Sequence, residues 1–315
     1  MNHSDHVQAV ALHASAAASS PVAASWRRCL TVHGLSPEEA RSPIRLSEAE
    51  LRLAREASGT LIEEATGEID RLFSTLGRAG CCLLLTDGNG VALERRGAAG
   101  DDKDFRGVGL WSGTVWSEAS VGTNGIGTAI ADERPVVIYR DQHFLSQNTR
   151  LSCATAPIRD HRGRIAAAID ISTCREDAGE MAMTILSQAV RDAASRIEAN
   201  LFRRAFAGHR ILLVPAEGKT TPALLAIDRD DLVLGATRTA RLVLGLDDGR
   251  IAAGIPASDL LQEDAAAAED SLHDAERAAL RRVLSRAQGN VSAAADSLGI
   301  SRATLYRKMK KLSIN

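Results

Sequence analysis

GNVSAAADSLGISRATLYRKMKKL, residues 289–312, decides the reading of this chain. Gly289-Asn290 closes an amphipathic helix over His273–Gln288 that carries Leu280, Val283 and Leu284 on its apolar side. Ser292–Leu298 reads as a short second helix, and Gly299 supplies the left-handed residue that stops it. Ile300 is a buried-type residue in the turn, and Ser301 suits the N-cap of a third helix. In that helix Leu305, Met309 and Leu312 stand at i, i+4 and i+7, one face toward a core. At about 100° per residue, the opposite face presents Ala303, Thr304, Tyr306, Arg307, Lys310 and Lys311, with Arg302 and Lys308 on its flanks. Ala293, Ala294 and Ala295 are small enough for the second and third helices to cross closely.

An apolar back, a tight turn and a cationic front are what a helix needs to reach phosphates and base edges in a duplex groove. A bare charge run would read as a solvated helix face; here the turn, the Ala-rich helix and the basic front coincide. The candidate DNA contacts are Asn290, Ser301, Arg302, Thr304, Tyr306, Arg307, Lys308, Lys310 and Lys311. Arg302, near the helix start, is the base-reading candidate, since arginine can hold guanine bidentately. Asn290, Thr304, Arg307 and Lys308 suit phosphates, and the role of Tyr306 stays open between touching DNA and filling a groove.

The charge distribution agrees. The chain of 315 residues carries −2 overall, yet residues 273–315 hold nine Lys/Arg against three acids, a net of +6 that leaves −8 elsewhere. A basic module on an acidic body points to a polyanion partner. Hydrophobic residues make up 45% and charged residues 25%, which argues for folded domains, about two at this length.

Working toward the N-terminus, the Ala- and acid-rich stretch 252–271, with Gly254 and Pro256, reads as a linker, and the boundary between domains is drawn at 261–272. Met181–Phe206 is a long helical stretch with an apolar stripe of Met181, Ile185, Leu186, Ala189, Ile197, Leu201 and Phe202. That stripe suits either a core or a dimer contact. Three phrases repeat the hairpin signal of strand, polar turn and strand: 81–93 around Asp87-Gly88-Asn89-Gly90, 154–171 around Asp160-His161-Arg162-Gly163, and more weakly 223–234 around Asp228. Hairpins mixed with helices imply an α+β fold with antiparallel sheets. Ser25–Ala79 reads mainly as helix, with Ser47 before Glu48 and Glu50 as a start signal. Residues 1–24, rich in Ala, Ser and His, read as a flexible tail.

Half of the ten aromatics fall between 105 and 144. Clustered rings beside Gly-rich loops line a small-molecule pocket or, equally, fill one domain's core. The candidate ligand-binding residues are Trp111, Trp116, Thr123, Asn124, Tyr139, Phe144 and Cys153.

Other function classes find little support. Gly122-x-x-Gly125-x-Gly127 is not the dinucleotide fingerprint, and Gly218-Lys219-Thr220 lacks the first glycine of a phosphate loop, its place being Leu213. No nucleophile–base pair or paired-carboxylate spacing marks an enzyme. Cys29, Cys81, Cys82, Cys153 and Cys174 form neither a disulfide framework nor a zinc motif, and His143 with Cys153 falls short of a metal site. No cofactor is expected. No apolar run approaches the ~20 residues of a membrane span and no signal peptide is evident, so a cytoplasmic protein is expected.

Two family resemblances sharpen this. Gly289-Asn290, Ala293-Ala294-Ala295, Leu298-Gly299-Ile300, Arg302, Thr304-Leu305 and Arg307-Lys308 resemble the helix-turn-helix of the factor for inversion stimulation, Fis, which also closes many activators dependent on sigma-54 and binds DNA as a dimer. Trp116-Ser117-Glu118, Gly122 to Thr128, Pro135-Val136, His143-Phe144, Cys153, Ala156-Pro157-Ile158 and Asp170-Ile171-Ser172 resemble the GAF sensor of the acetoin-catabolism regulators, and Ser25-Trp26-Arg27-Arg28-Cys29 fits that family's start. The resemblance implies a GAF-like sensor over 25–205, a degenerate PAS-like segment over 206–260 and a Fis-type head over 273–315. It implies double-stranded DNA, an unidentified small-molecule effector and a second copy of the chain as partners, with RNA polymerase or related regulators as further contacts and no membrane. The family usually carries an ATPase between sensor and head; the roughly 65 residues after Phe206 are too few for one, so ATP-driven promoter opening is not carried over. A ligand-sensing interaction protein, or a modulator of full-length sigma-54 activators with little DNA binding of its own, is the alternative.

Overall fold

A computed structural model describes residues 2–76, 80–218, 221–229, 232–261, 276–277, 279–280, 283–284, 287 and 290–314. It divides into two units, Met1–Ala257 and Ser258–Asn315. The expected segments 25–205 and 206–260 both fall essentially in the first. Most of the expected linker, and much of the helix expected over His273–Gln288, lie outside the described residues.

The first unit opens with helices α1 (His3–Leu12), α2 (Ala14–Ser19) and α3 (Pro21–Thr31), then α4 (Glu48–Ala57) and α5 (Gly59–Leu76). Strands β1 (Cys81–Asp87), β2 (Ala92–Arg96), β3 (Val136–Tyr139), β4 (Ser152–Arg159) and β5 (Ile165–Thr173) form one sheet in the order β2-β1-β5-β4-β3, every pair antiparallel. Short helices α6 (Asp102–Gly107), α7 (Glu118–Val121) and α8 (Gly125–Ala131) lie between β2 and β3, and α9 (Glu180–Ala205) follows β5. Strands β6 (Arg210–Val214), β7 (Ala223–Ile227) and β8 (Val233–Ala236) make a second antiparallel sheet, followed by α10 (Arg238–Leu244), α11 (Asp248–Ala252) and α12 (Ala257–Leu261). This is the α+β class expected.

The three hairpins share one device. Asp87 Oδ1 accepts from the backbone N–H of Asn89 and Val91, both at 2.9 Å. Asp160 Oδ1 accepts from Arg162 at 2.8 Å and Arg164 at 2.9 Å, and Asp228 Oδ1 accepts from Leu232 at 2.9 Å. An aspartate at the turn entry satisfies donors that the strand ladder cannot reach.

Both faces of the large sheet are covered, which explains the unbroken apolar runs. Leu83, Leu85, Ile169 and Ile171 join Ile69 and Leu72 of α5 and Val190 and Ile197 of α9 in one cluster. Cys82, Leu84, Cys153 and Ala168, pointing the other way on the pleat, join Trp116, Phe144 and Ile126 in a second cluster. The C-terminal part of α9 also serves the small sheet, where Ala199 and Phe202 pack on Leu224 and Ala226.

One expectation is corrected. Residues 1–24 are not a loose tail. Asn2 and Asp5 form a capping box at α1, Val7 and Ala11 are fully buried beside Trp26, and His3 reaches Ser146 Oγ at 2.9 Å and the carbonyls of Asp141 and His143 at 3.0 Å. A stripe of Val7, Val10 and Ala11 is too thin to stand out in an Ala/Ser-rich sequence; long-range polar anchors complete it. The apolar stripe of α9 splits: Leu186, Ile197 and Phe202 are buried, Ala189 and Leu201 partly so, while Met181 is 80% and Ile185 59% exposed. Among the described residues no helix is long and apolar enough to cross a membrane.

Candidate nucleic-acid interface and sensor interior

The second unit contains the short helix Val291–Ser297 and the terminal helix Arg302–Lys311. Leu280, Ala294, Ala295, Leu305, Leu312 and Ile314 are its core, with Val283, Leu284 and Met309 packed against them. Gly299 turns the chain at φ +64°, a conformation a side chain would strain. The Ile300 N–H returns to the Ala295 carbonyl at 3.1 Å. The Ser301 hydroxyl then caps the terminal helix by accepting from Thr304 N–H at 3.1 Å.

The front of the terminal helix is open. Ser301, Arg302, Ala303, Tyr306, Arg307, Lys310 and Lys311 are exposed along an arc of about half the helix circumference. The Arg302 guanidinium lies over the Tyr306 ring, 5.7 Å from its centre. The basic last turn also complements the helix dipole.

Three candidate contacts have other tasks. Asn290 Oδ1 caps the short helix, accepting from Ser292 and Ala293 N–H at 3.1 and 3.2 Å. Thr304 is half-buried, its hydroxyl 2.9 Å from that of Ser301. Lys308 turns away from the front and ion-pairs with Glu276 of the preceding helical segment. One step of helical register moves Lys308 from the cationic arc to the core-side flank, which charge counting does not resolve.

In the first unit most candidate ligand residues serve the interior. Trp116 is buried, its indole N–H directed at the Gly109 carbonyl at 3.2 Å and at Thr114 Oγ1 at 3.1 Å. Phe144 and Cys153 belong to the same buried cluster. Thr123 Oγ1 meets Ser25 Oγ at 2.6 Å. Asn124 caps α8 through Gly127 N–H at 2.9 Å and donates to the Gly122 carbonyl at 2.8 Å. Their polar atoms are consumed by caps and internal hydrogen bonds, so five of the seven do not present a free surface to a ligand. Trp111 and Tyr139 are half-buried; Trp111 is flanked by Arg95 and Arg106, whose guanidinium carbons stand 4.2 and 4.0 Å from its ring centre.

A buried polar chain crosses β4 and β5. His143 Nε2 lies 3.5 Å from Cys153 Sγ, Ser172 Oγ lies 3.0 Å from that sulfur, and Ser172 donates to Asp170 Oδ2 at 2.6 Å. Burial pushes His143 down to about 4, raises the Cys153 thiol, and pushes Asp170 up to about 6. The His–Cys contact is thus a neutral pair rather than an activated thiolate. Gly125 is needed here: a Cβ would stand 2.8 Å from Cys153 Cβ and 2.9 Å from Asp170 Oδ1.

Ser25 and Arg28, far in sequence from Glu118, meet it in the fold. Glu118 accepts from Arg28 Nε and Nη2, both at 2.9 Å, and from Ser25 Oγ at 2.5 Å. Arg28 Nη2 also reaches Asp132 at 2.8 Å. A glutamate inside an apolar stretch, with basic residues about 90 positions earlier, is a signal only once the fold is known.

A family model for the MimR N-terminal domain matches residues 2–199, which covers the capped start of α1, the large sheet and most of α9. The chain belongs to the MimR family of bacterial regulators. A second model, the Fis-family bacterial regulatory protein, matches residues 271–312. Relatives of this MimR-family chain include the acetoin catabolism regulatory protein of Cupriavidus necator, 32% identical over 70% of this chain and 34% of that protein. They also include the propane 2-monooxygenase operon transcriptional activator MimR of Mycolicibacterium smegmatis, 32% identical over 61% of this chain and 31% of that protein, and the acetoin dehydrogenase operon transcriptional activator AcoR of Bacillus subtilis, 29% identical over 56% and 29%. The chain spans about a third of the length of these curated relatives. Among solved structures, the E. coli DhaR(N)–DhaL complex superimposes with TM-score 0.52 and 16% identity, over 72% of this chain and 77% of that one, a likeness of fold.

Proposed function

We propose that this chain is a sequence-specific DNA-binding transcription regulator. Its terminal helix enters the major groove, and its first unit senses a small molecule. The observation that carries the reading is the helix Arg302–Lys311, which buries Leu305 and presents Arg302, Tyr306, Arg307, Lys310 and Lys311 together without an acid. Arg302 reads a base edge, Arg307, Lys310 and Lys311 hold phosphates, and the Ser301 and Asn290 caps fix the helix ends. Lys308 acts inside the head through Glu276. The Fis-family match and the names of the relatives support the same reading.

The regulator works as a homodimer in this reading. Met181 and Ile185, one turn apart and exposed on α9, offer the apolar contact for pairing. Ligand binding in the first unit alters that pairing and so the spacing of two heads on their half-sites. The protein acts in the cytoplasm and performs no catalysis.

Selection from a random double-stranded pool with the purified full chain tests the reading. The expected product is a two-fold symmetric site, with Arg302→Ala relaxing the preference at one base pair in each half. Recovery of a pool without any enriched sequence overturns it.

A further inference from the structure

A cleft of about 300 Å³ lies among β4, α9 and α10. It is on the sheet face opposite the Trp116–Phe144 cluster, so it is separate from the aromatic interior. Among the described residues, four arginines line it, Arg134, Arg159, Arg191 and Arg238, against two glutamates, Glu133 and Glu198.

The arginines differ in what they already hold. Arg159, almost fully buried, donates from Nη1 to the Glu133 carboxylate at 3.0 Å and from Nη2 to the Glu133 carbonyl at 2.8 Å. Glu133 itself stands at φ +51°. Arg134 pairs with Asp132 at 3.1 Å, and Arg238 lies 3.9 Å from the shared Glu133. Arg191 has no hydrogen bond or ion pair among the described residues, and it stands on the same face of α9 as Ala194, Ser195 and Glu198. Glu198 accepts the Arg159 backbone N–H at 2.7 Å. Burial pushes its carboxyl up to about 7, against the pull of Arg159 and Arg238.

The cleft therefore combines an uncommitted guanidinium, an excess of positive charge, and a carboxyl that gives up its proton reluctantly. Pro157, Ala194 and Leu242 add apolar wall for a short carbon chain. We propose that this cleft binds a small organic carboxylate, with Arg191 and Arg238 gripping the anion. Guanidinium matches carboxylate in shape and charge, and the volume lies at the small-metabolite end of ligand sites. Inorganic phosphate carries the charge but has no carbon chain for the apolar wall. The groups facing Glu198 are Arg159 from β4, Arg238 from α10, Arg191 on α9 itself and Glu133 from the turn before β3. Burial raises the Glu198 carboxyl to about 7, and its ionised form repels an anion in the cleft, so binding is stronger below that value than above it.

The inference rests on the sensor part of the regulator reading and gives the effector a chemical class. Isothermal titration calorimetry of the full chain, with no DNA present, keeps its failure distinct from a failure of DNA binding. Succinate is the probe, with inorganic phosphate and the uncharged succinamide as parallel arms. The expected result is saturable succinate binding, weakened about tenfold or more by R191Q and by R238Q, weaker at about pH 8 than at about pH 6, and absent for succinamide. R191Q changes an exposed side chain without an internal partner, so an unchanged unfolding midpoint separates binding from folding. No heat with succinate, affinity unmoved by both variants, or phosphate binding as tightly as succinate overturns the proposal.

Discussion

Glu118→Ala probes how the N-terminal helices are fastened to the large sheet. The Glu118 side chain is 3% exposed and receives Arg28 twice at 2.9 Å, Ser25 at 2.5 Å and Thr128 at 2.9 Å. Burial works against its charge, but the hydrogen bonds from Arg28 and Ser25 outweigh that and hold its pKa below the usual carboxylate value. Removing one partner of a buried pair costs about 3–5 kcal/mol. Arg28 is 33% exposed and keeps Asp132 at 2.8 Å, so water and the second acid lower the expected cost to about 2–4 kcal/mol. Glu118→Gln preserves shape but loses the charge and turns one acceptor oxygen into an NH2 that faces a donor such as Arg28 Nε, at about 1–3 kcal/mol. A depressed carboxyl pKa stabilises the fold above its unfolded value, and that contribution disappears as pH falls through the folded one. The gap between wild type and Glu118→Ala therefore narrows in acid. Urea unfolding followed by far-UV circular dichroism measures the loss, and trypsin cleavage after Arg27 or Arg28 reports release of α3. A Glu118→Ala protein within about 0.5 kcal/mol of wild type, with α3 equally resistant to trypsin, refutes the fastening argument.

Three further outcomes follow from the same geometry. Glu198 keeps its proton up to about 7 in the folded protein, whereas the unfolded chain releases it near ~4.3. The group therefore costs stability as pH rises across that window, by up to about 3.5 kcal/mol; Glu198→Gln should flatten the fall of the thermal midpoint over this range. Ser301→Ala removes the cap of the terminal helix and should destabilise the second unit by about 1 kcal/mol, read from amide exchange of that helix. Lys308→Ala breaks the pair with Glu276 and should leave the salt dependence of DNA binding nearly unchanged, as measured by anisotropy at several salt concentrations.

The hairpins were legible because their turns are local: Asp87, Asp160 and Asp228 act on backbone donors two to four residues away. The terminal helix was legible because its turn, caps and basic arc lie within 25 residues, and Leu305 and Leu312 are buried as their spacing required. The roles of Trp116, Thr123 and Asn124 were not, because a buried aromatic or a capping amide looks the same in sequence whether it lines a pocket or fills a core. Likewise the stripe of α9 carries one period for two destinations, Leu186 toward the sheet and Met181 and Ile185 toward solvent. The arginine cleft draws on β4, α9, α10 and the turn before β3, and no local pattern announces groups gathered from so far apart.

The most direct test is the salt dependence of DNA binding by the full chain, comparing wild type with Arg307→Gln, Lys310→Gln and Lys311→Gln. Each phosphate contact contributes about 0.9 to the slope of log affinity against log salt. Each substitution is therefore expected to shallow the slope by about one unit per head and to weaken binding across sequences alike. Slopes that match wild type in all three variants, or a wild type without salt-sensitive attraction to duplex DNA, contradict the account.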